Sequence, residues 1–353
     1  MKKLFWITCL FVFIAPGISM DHQANYAVTS LHVQPMSISS HTSSGLSQRH
    51  FFAGFSVNDP ATVYSAASVG LGEAQSYADA ATVNNALGKA MLSTHMHQID
   101  STLWYYLYQY QCHQNLDSIA ANYTDCEKVN PFPTVAALLR GVAAYLQQAR
   151  NNSLIDAYWV LDDGTLWKPG GAKLLLQQIH RLIQQYSPGR PAICGFGAEF
   201  GYRHDDYWMA SLAQNFSPQG CDMVGLYIYS AYLNPIRHPS PDQFDWKMTT
   251  ILPKMFASLR KQGWNQSRQP LIGITQSFAG MESDRKSYLI VPSVLNMVTQ
   301  ALAFCQDGAI GVSFYAWDIG GEFLNPQTPM NNSQMAQGVK QSVAACTRYW
   351  QTH

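Results

Sequence analysis

From His50 onward the chain alternates short apolar runs with longer segments of helical period, about eight times over. The strand-like runs are Phe51–Val57, Glu73–Ala78, Trp104–Tyr110, Ile155–Asp162, Ala192–Ala198, Met223–Tyr229, Leu271–Gln276 and Ala309–Trp317. The helix-like segments are Pro60–Val69, Thr82–Ile99, Thr134–Ala149, Ala172–Tyr186, Asp206–Asn215, Phe244–Gln262, Lys286–Gln306 and Ser333–Tyr349, with Ser187-Pro188-Gly189 as a breaker after the fourth. Eight such units over roughly 300 residues predict an α/β fold, a single (β/α)8 TIM-type barrel, for which about 250 residues is typical. An open doubly wound sheet is the alternative. The stretch GFSVNDP after the first run lacks the spacing of a Gly-rich dinucleotide turn, and no boundary for a second domain is visible, so residues 50–353 read as one barrel.

What precedes the barrel has a different pattern. Lys2 and Lys3 lead into the apolar run Leu4–Pro16, then Gly17 and Ser19, the layout of a secretory signal peptide cut after Ser19. Residues 20–49, rich in Ser, His, Thr and Gln, read as a polar leader, disordered or loosely packed. A secreted or periplasmic location follows. No later stretch is long and apolar enough to span a bilayer, so no stable membrane insertion is expected.

Six cysteines remain after the signal, and an even number in an exported chain favours disulfides. Neighbour pairing predicts Cys112–Cys126, Cys194–Cys221 and Cys305–Cys346. None has the CxxC spacing of a metal site. Sequons at Asn122, Asn151, Asn215, Asn265 and Asn331 matter only in a glycosylating host, and the MKKLF start looks bacterial. Lys+Arg and Asp+Glu both number 22, so no electrostatic case exists for nucleic acid or an anionic membrane. Charged residues make up 12% and aromatics another 12%, a balance that suits a neutral polar ligand such as a carbohydrate.

The candidate chemistry gathers at strand ends. The fourth run closes on Asp162 and Asp163 before turning at Gly164, the end of a parallel strand where barrel enzymes place their chemistry. Alternation along the sixth run puts Val224, Leu226 and Ile228 outward and Gly225, Tyr227 and Tyr229 inward. The small Gly195 and Gly197 of the fifth run face in and carry Glu199 to the mouth. In the eighth run Gly311 and Ser313 do the same for Tyr315 and Trp317. Parity in the fourth run is ambiguous and leaves Asp162 and Asp163 unseparated. The expected mouth thus holds two or three carboxylates among Tyr227, Tyr229 and Trp317, with Trp167, Tyr110 and Tyr202 as further walls. An acid that protonates a leaving oxygen and a second group that faces a cationic sugar carbon are what glycosidic cleavage requires.

The eighth run, GAIGVSFYAWDIGG, resembles the last strand of the chitinase-like glycoside hydrolases, in which a Trp floors the sugar site. The sixth, DMVGLYIYS, is similar to their sixth strand, whose Tyr contacts the reacting sugar; Tyr229 is the matching position. The fourth departs, carrying DAYWVLDD where that family ends in DxxDxDxE. Its terminal pair looks instead like that of hexosaminidases using substrate assistance. That resemblance implies that Asp162 orients an acetamido group and Asp163 is the general acid.

Plainer roles stand beside these. Asp162 and Asp163 also suit a helix cap and turn, Glu199 suits an ion pair with Arg203, and Trp317 and Tyr229 suit ordinary core. Asp318 and Glu322 are alternative acids. Gln276 ends the seventh run, where many retaining glycosidases carry a nucleophilic Glu; an amide cannot attack, but it can hydrogen-bond a hydroxyl. His95 and His97 have the HxH spacing of metal-dependent hydrolases, yet on a helix over Thr82–Ile99 they would diverge, so neither metal nor cofactor is expected. The alternatives to a glycoside hydrolase are therefore a catalytically inactive carbohydrate- or protein-binding barrel and, less favoured, a metal-dependent hydrolase.

Overall fold

The computed structural model describes residues 46–77, 80–114, 128–162, 164, 167–168, 170–197, 205–229, 232–233, 247–282, 288–319 and 323–353. The signal peptide and most of the leader expected above lie outside them. The strands are β1 (Phe51–Gly54), β2 (Glu73–Ser76), β3 (His97–Asp100), β4 (Ile155–Leu161), β5 (Ala192–Gly197), β6 (Met223–Ile228), β7 (Tyr232–Leu233), β8 (Leu271–Gln276), β9 (Ala279–Glu282), β10 (Tyr288–Leu289), β11 (Gly311–Tyr315) and β12 (Phe323–Gln327). Eight of them close into a barrel in the order β1-β11-β8-β6-β5-β4-β3-β2, every neighbouring pair parallel.

The α-helices among the described residues are α1 (Pro60–Ser68), α2 (Ala86–Thr94), α3 (Thr102–His113), α4 (Val135–Ala149), α5 (Lys173–Tyr186), α6 (Asp205–Asn215), α7 (Leu252–Lys261), α8 (Val294–Gln306) and α9 (Ser333–Thr352). The fold is an α/β TIM-type barrel.

Two layers of side chains hold it together. The barrel interior is filled from β1 by Phe51 and Ala53, with Ile99, Ala157, Trp159, Ile193, Met223, Ile272 and Ile274. Trp159 is the largest interior side chain, and Gly195 and Gly225 make room for it. A Cβ on Gly195 would overlap the indole at Cζ2, and one on Gly225 would lie 3.0 Å from its Cη2. The outer layer, between strands and helices, includes Tyr158, Val160, Val224, Leu226 and Ile228 against residues such as Leu176 and Ile179 of α5. Burying so many apolar side chains, at about 25 cal/mol per Å2, drives closure.

The third unit differs from the sequence expectation. The predicted helix over Thr82–Ile99 is the shorter α2 followed by β3, and the predicted strand over Trp104–Tyr110 is α3. Asn85 caps α2 by accepting from the Gly88 N–H, and His95, in the left-handed region at φ 57°, ends it. Beyond it, Gln98 N–H donates to Leu154 O at 2.7 Å, a pairing with a distant segment that no local period reveals. In α3 the aromatic density favours a strand, but Leu103, Leu107 and Tyr110 recur at helical spacing and are buried on one side. That burial decides the conformation.

A further element was not expected. A four-stranded antiparallel sheet, β12-β9-β10-β7, is built from segments that follow the barrel strands β6, β8 and β11. Within the span read as helix Lys286–Gln306, β10 precedes α8, which starts only at the Ser293 cap. Likewise Phe244–Gln262 resolves, where described, into a π-helical turn over Lys247–Ile251 and then α7.

At the N-terminal ends of the strands, residues assigned above to the leader belong to the barrel. Leu46 is fully buried in the interior cluster. Arg49 reaches Glu73 Oε1 and Asp156 Oδ2, each at 2.6 Å, and His97 Nδ1 lies 3.1 Å from Asp156 Oδ1. Glu73 is buried, and its Oε2 has no hydrogen-bond partner among the described residues. Burial first, and the charge of Asp156 second, push its pKa up to about 8 against the pull of Arg49.

Cys194–Cys221 and Cys305–Cys346 are bonded, with Cα atoms 5.7 and 6.0 Å apart. Cys112 is also disulfide-bonded, and Cys126 lies outside the described residues. No helix among the described residues is long and apolar enough to cross a membrane.

Candidate active site at the barrel mouth

The position of Asp162 is set by an irregularity in β4. Trp159 pairs with Ile193 of β5, but Leu161 pairs with Cys194, so two residues of β4 oppose one of β5. Val160 and Leu161 consequently both lie in the helix-facing layer. Strict alternation from Trp159 would have turned Asp162 outward; the bulge turns it into the mouth.

There two phenols donate to it. Tyr227 OH reaches Asp162 Oδ1 at 2.6 Å and Tyr77 OH reaches Oδ2 at 2.8 Å. A carboxylate accepting on both oxygens matches the acceptor-only inventory of the ionised group. Burial first, then the negative field of Asp162, hold the Tyr77 phenol well above its ordinary range, so it stays a donor.

Aromatic rings surround this carboxylate. Tyr227 and Tyr229 stack at 6.2 Å, and Tyr229 packs on Phe278 at 5.0 Å and on Tyr315 at 5.6 Å. Phe278 also meets Phe323 of the small sheet at 5.3 Å. On the other flank Tyr77 sets its ring edge-on to Trp104 of α3 at 4.8 Å. Tyr227 and Tyr229 are buried in the interior cluster, while Tyr77, Trp104 and Tyr315 are partly exposed. Tyr77 went unnoticed in the sequence, although it shares strand parity with Glu73 and Gln75; the stripe Trp104–Tyr110 read as core and mouth lining, but on a strand rather than on α3.

The remaining expected residues separate. Asp163, Glu199, Tyr202, Arg203 and Glu322 lie outside the described residues. Asp318 is exposed just after β11. Gln276 is fully buried and its Nε2 donates to Phe278 O at 2.9 Å and Ile290 O at 3.4 Å, tying β8 to the small sheet.

Trp317 does not turn inward. It packs in the outer layer with Val57, Val63 and Leu71, and its Nε1–H donates to Ser65 Oγ of α1 at 3.2 Å. Trp167 and Tyr110 are likewise buried in the outer layer rather than lining the mouth. His97 begins β3, at the opposite end of the barrel from Asp162, and is engaged with Asp156. Among the described residues no group of three or more His, Cys, Asp or Glu is placed to hold a metal ion.

The loop after Asp162 is held from α6. Asn215, fully buried, donates from Nδ2 to Gly164 O and Trp167 O, each at 3.1 Å, and its Oδ1 accepts from Ala172 N at 3.2 Å. Ser211 Oγ adds a second bond to Trp167 O at 2.6 Å. Its sequon therefore lies at a buried, bonded amide.

A closed parallel barrel whose mouth gathers an inward carboxylate among aromatic rings defines the class. The solved structures it resembles share the barrel fold. An endo-β-1,4-mannanase from Thermotoga petrophila aligns with a TM-score of 0.54 at 10% identity over 86% of this chain and 78% of that one. A β-galactosidase from the psychrophilic Marinomonas ef1 aligns at 0.53 and 8% identity, over 86% of this chain and 60% of that one. An endo-1,4-β-mannanase from Rhizomucor miehei gives 0.50 at 12% identity, covering 85% and 95%. No protein-family model matches the sequence, and no curated protein matches it either. At such identities the likeness is one of fold, a closed (β/α)8 barrel.

Proposed function

We propose that this chain is an exported, glycan-acting barrel that cleaves a glycosidic bond at the mouth, with Asp162 facing the sugar carbon that becomes positive. The observation that carries the reading is the inward Asp162 carboxylate, accepting from Tyr77 and Tyr227 within an aromatic bowl. An ionised carboxylate held rigidly there favours a cationic transition state over the neutral ground state. Asp163, its neighbour in sequence, is the proposed general acid, with Glu199 as the second candidate, since cleavage also needs a proton for the leaving oxygen. Where the substrate is N-acetylated, Asp162 instead orients the acetamido group. Tyr229 is the proposed sugar contact and Asp318 a rim contact for hydroxyls. The resemblances to mannanases and a β-galactosidase support a carbohydrate substrate. Export rests on the Lys2-Lys3 leader and agrees with the disulfides, which persist in oxidising compartments.

The test is a panel of neutral oligosaccharides and polysaccharides, including manno-, cello-, galacto- and N-acetylglucosamine substrates. Asp162→Asn and Asp163→Asn should each lose activity by at least about 100-fold with the melting temperature unchanged. Full activity in Asp162→Asn would remove the carboxylate from catalysis.

A second reading, a barrel that binds glycans without cleaving them, is favoured by Gln276. At the end of the seventh barrel strand it presents an amide committed to backbone carbonyls, where a carboxylate would be able to react. Saturable glycan binding with no turnover at any pH would favour it.

A further inference from the structure

We propose that the segment Leu46–Arg49 is a latched strap across the barrel floor, which opens locally and more often as pH rises because ionisation of its anchor, Glu73, draws that carboxyl toward water. The strap lies at the end of the barrel opposite Asp162, so the proposal stands apart from the glycan reading.

Two side chains make the strap. Leu46–Gln48 forms a single 3-10 turn ahead of β1. Leu46 is fully buried in the interior cluster with Phe51 and Met223, and so stoppers the barrel where the strands begin. Arg49 fastens the turn: its Nη2 donates to Glu73 Oε1, at the start of β2, and to Asp156 Oδ2, near the start of β4, each at 2.6 Å. Because β3 lies between those strands, one guanidinium spans three of them. Asp156 is placed for this by a second irregularity in β4. Gln98 of β3 pairs with Ile155 and Ile99 with Ala157, which leaves Asp156 as the extra residue between them.

The charges do not balance. Around Glu73 stand Arg49 from the strap and Asp156 from β4, with His97 of β3 reaching Asp156 at 3.1 Å. On the other side β1 pairs Ala53 with Glu73 and turns only apolar side chains, Phe51 and Ala53, to the interior. One guanidinium therefore serves two carboxyls, and Glu73 Oε2 is buried with no partner among the described residues. Such a carboxyl is tolerated as the neutral acid, and burial with the nearby Asp156 raises its pKa to about 8.

Once ionised, Glu73 gains most by reaching water, and the strap is the cover that yields. Its turn is closed by a long bond, Arg49 N–H to Leu46 O at 3.4 Å, whereas β2 is paired on both edges. The closed strap binds the proton more tightly than the open one, where Glu73 returns toward 4.5. Opening is therefore favoured as pH climbs from 4.5 to about 8 and levels off above.

The experiment is hydrogen exchange read by mass spectrometry on the wild-type protein and Glu73→Gln side by side, from pH 6 to 9. The amides of Arg49 and Phe51 report on the strap and those of β6 on the whole barrel. Strap amides should exchange faster than β6 amides at every pH, the mark of a local opening. The ratio of wild-type to Glu73→Gln strap exchange should rise by up to about 50-fold between pH 6 and 8 and flatten toward pH 9. Arg49→Lys, which keeps the charge but lacks the fork that grips two carboxyls, should speed strap exchange throughout the range. Should Glu73→Gln fail to fold, the wild-type strap rates, corrected for the intrinsic pH dependence of amide exchange, carry the same test. A ratio that stays constant with pH overturns the latch. So does strap exchange no faster than that of β6, which would mean that the floor opens only when the barrel unfolds.

Discussion

Glu73 offers a perturbation whose size follows from the coordinates. Its carboxyl is 1% exposed, shares Arg49 with Asp156 and leaves Oε2 without a partner among the described residues. Its pKa is raised from 4.5 to about 8, chiefly by burial. A raised carboxyl pKa means that the fold prefers the neutral acid, whereas the unfolded chain ionises freely. Stability is therefore fully present below pH 4.5 and falls as pH rises toward 8, above which the loss is complete. The difference between these two pKa values corresponds to a loss on the order of 5 kcal/mol.

Glu73→Gln keeps the shape, removes the proton equilibrium and retains an acceptor for Arg49. The measurement is thermal or urea unfolding of both proteins at half-unit steps from pH 5 to 9. The wild-type curve should fall relative to that of Glu73→Gln from pH 5 to about 8 and run parallel to it above, because every other titrating group is common to both. At roughly 2 °C per kcal/mol for a domain of this size, the gap should grow by several degrees. Parallel curves would falsify the claim that the barrel floor holds a protonated Glu73, and a gap growing toward acid pH would reverse its sign.

Two other variants probe the scaffold beneath the mouth. Asn215→Ala removes the amide that ties Gly164, Trp167 and Ala172 to α6, leaving buried backbone groups unpaired. It should cost about 2–4 kcal/mol in urea unfolding, and it should lower kcat on any substrate found while KM changes less. Retained stability and kcat would show that the loop after Asp162 holds itself. Gly195→Ala places a methyl group into the Trp159 indole. It should destabilise by about 1–3 kcal/mol in equilibrium unfolding, and the paired variant Trp159→Phe with Gly195→Ala should recover part of it. No recovery would mean that the clash lies elsewhere.

How much of the site was legible depends on how local each determinant is. Tyr227 and Tyr229 follow from the alternation of a regular strand, Gly225 included. The separation of Asp162 from Asp163 does not, because it depends on an extra residue in β4 opposite Cys194 of β5. Trp317 continues an inward-reading alternation but packs on α1, just beyond the last paired residue of β11. Tyr77 gains its importance only from contact with Asp162, 85 residues away.

By itself the sequence determined the repeating alternation of strand and helix, the neutral and aromatic composition, and the acidic end of the fourth strand. Those are properties of short segments, set by period and side-chain chemistry. The tertiary structure alone decided that the third unit starts at His97, that α3 is a helix, that a small sheet crowns three strands, and that Asp162 faces two tyrosines. Each of these turns on pairing or burial between segments far apart in the chain. Local preference there is worth less than the hydrogen bonds and apolar area that closure supplies.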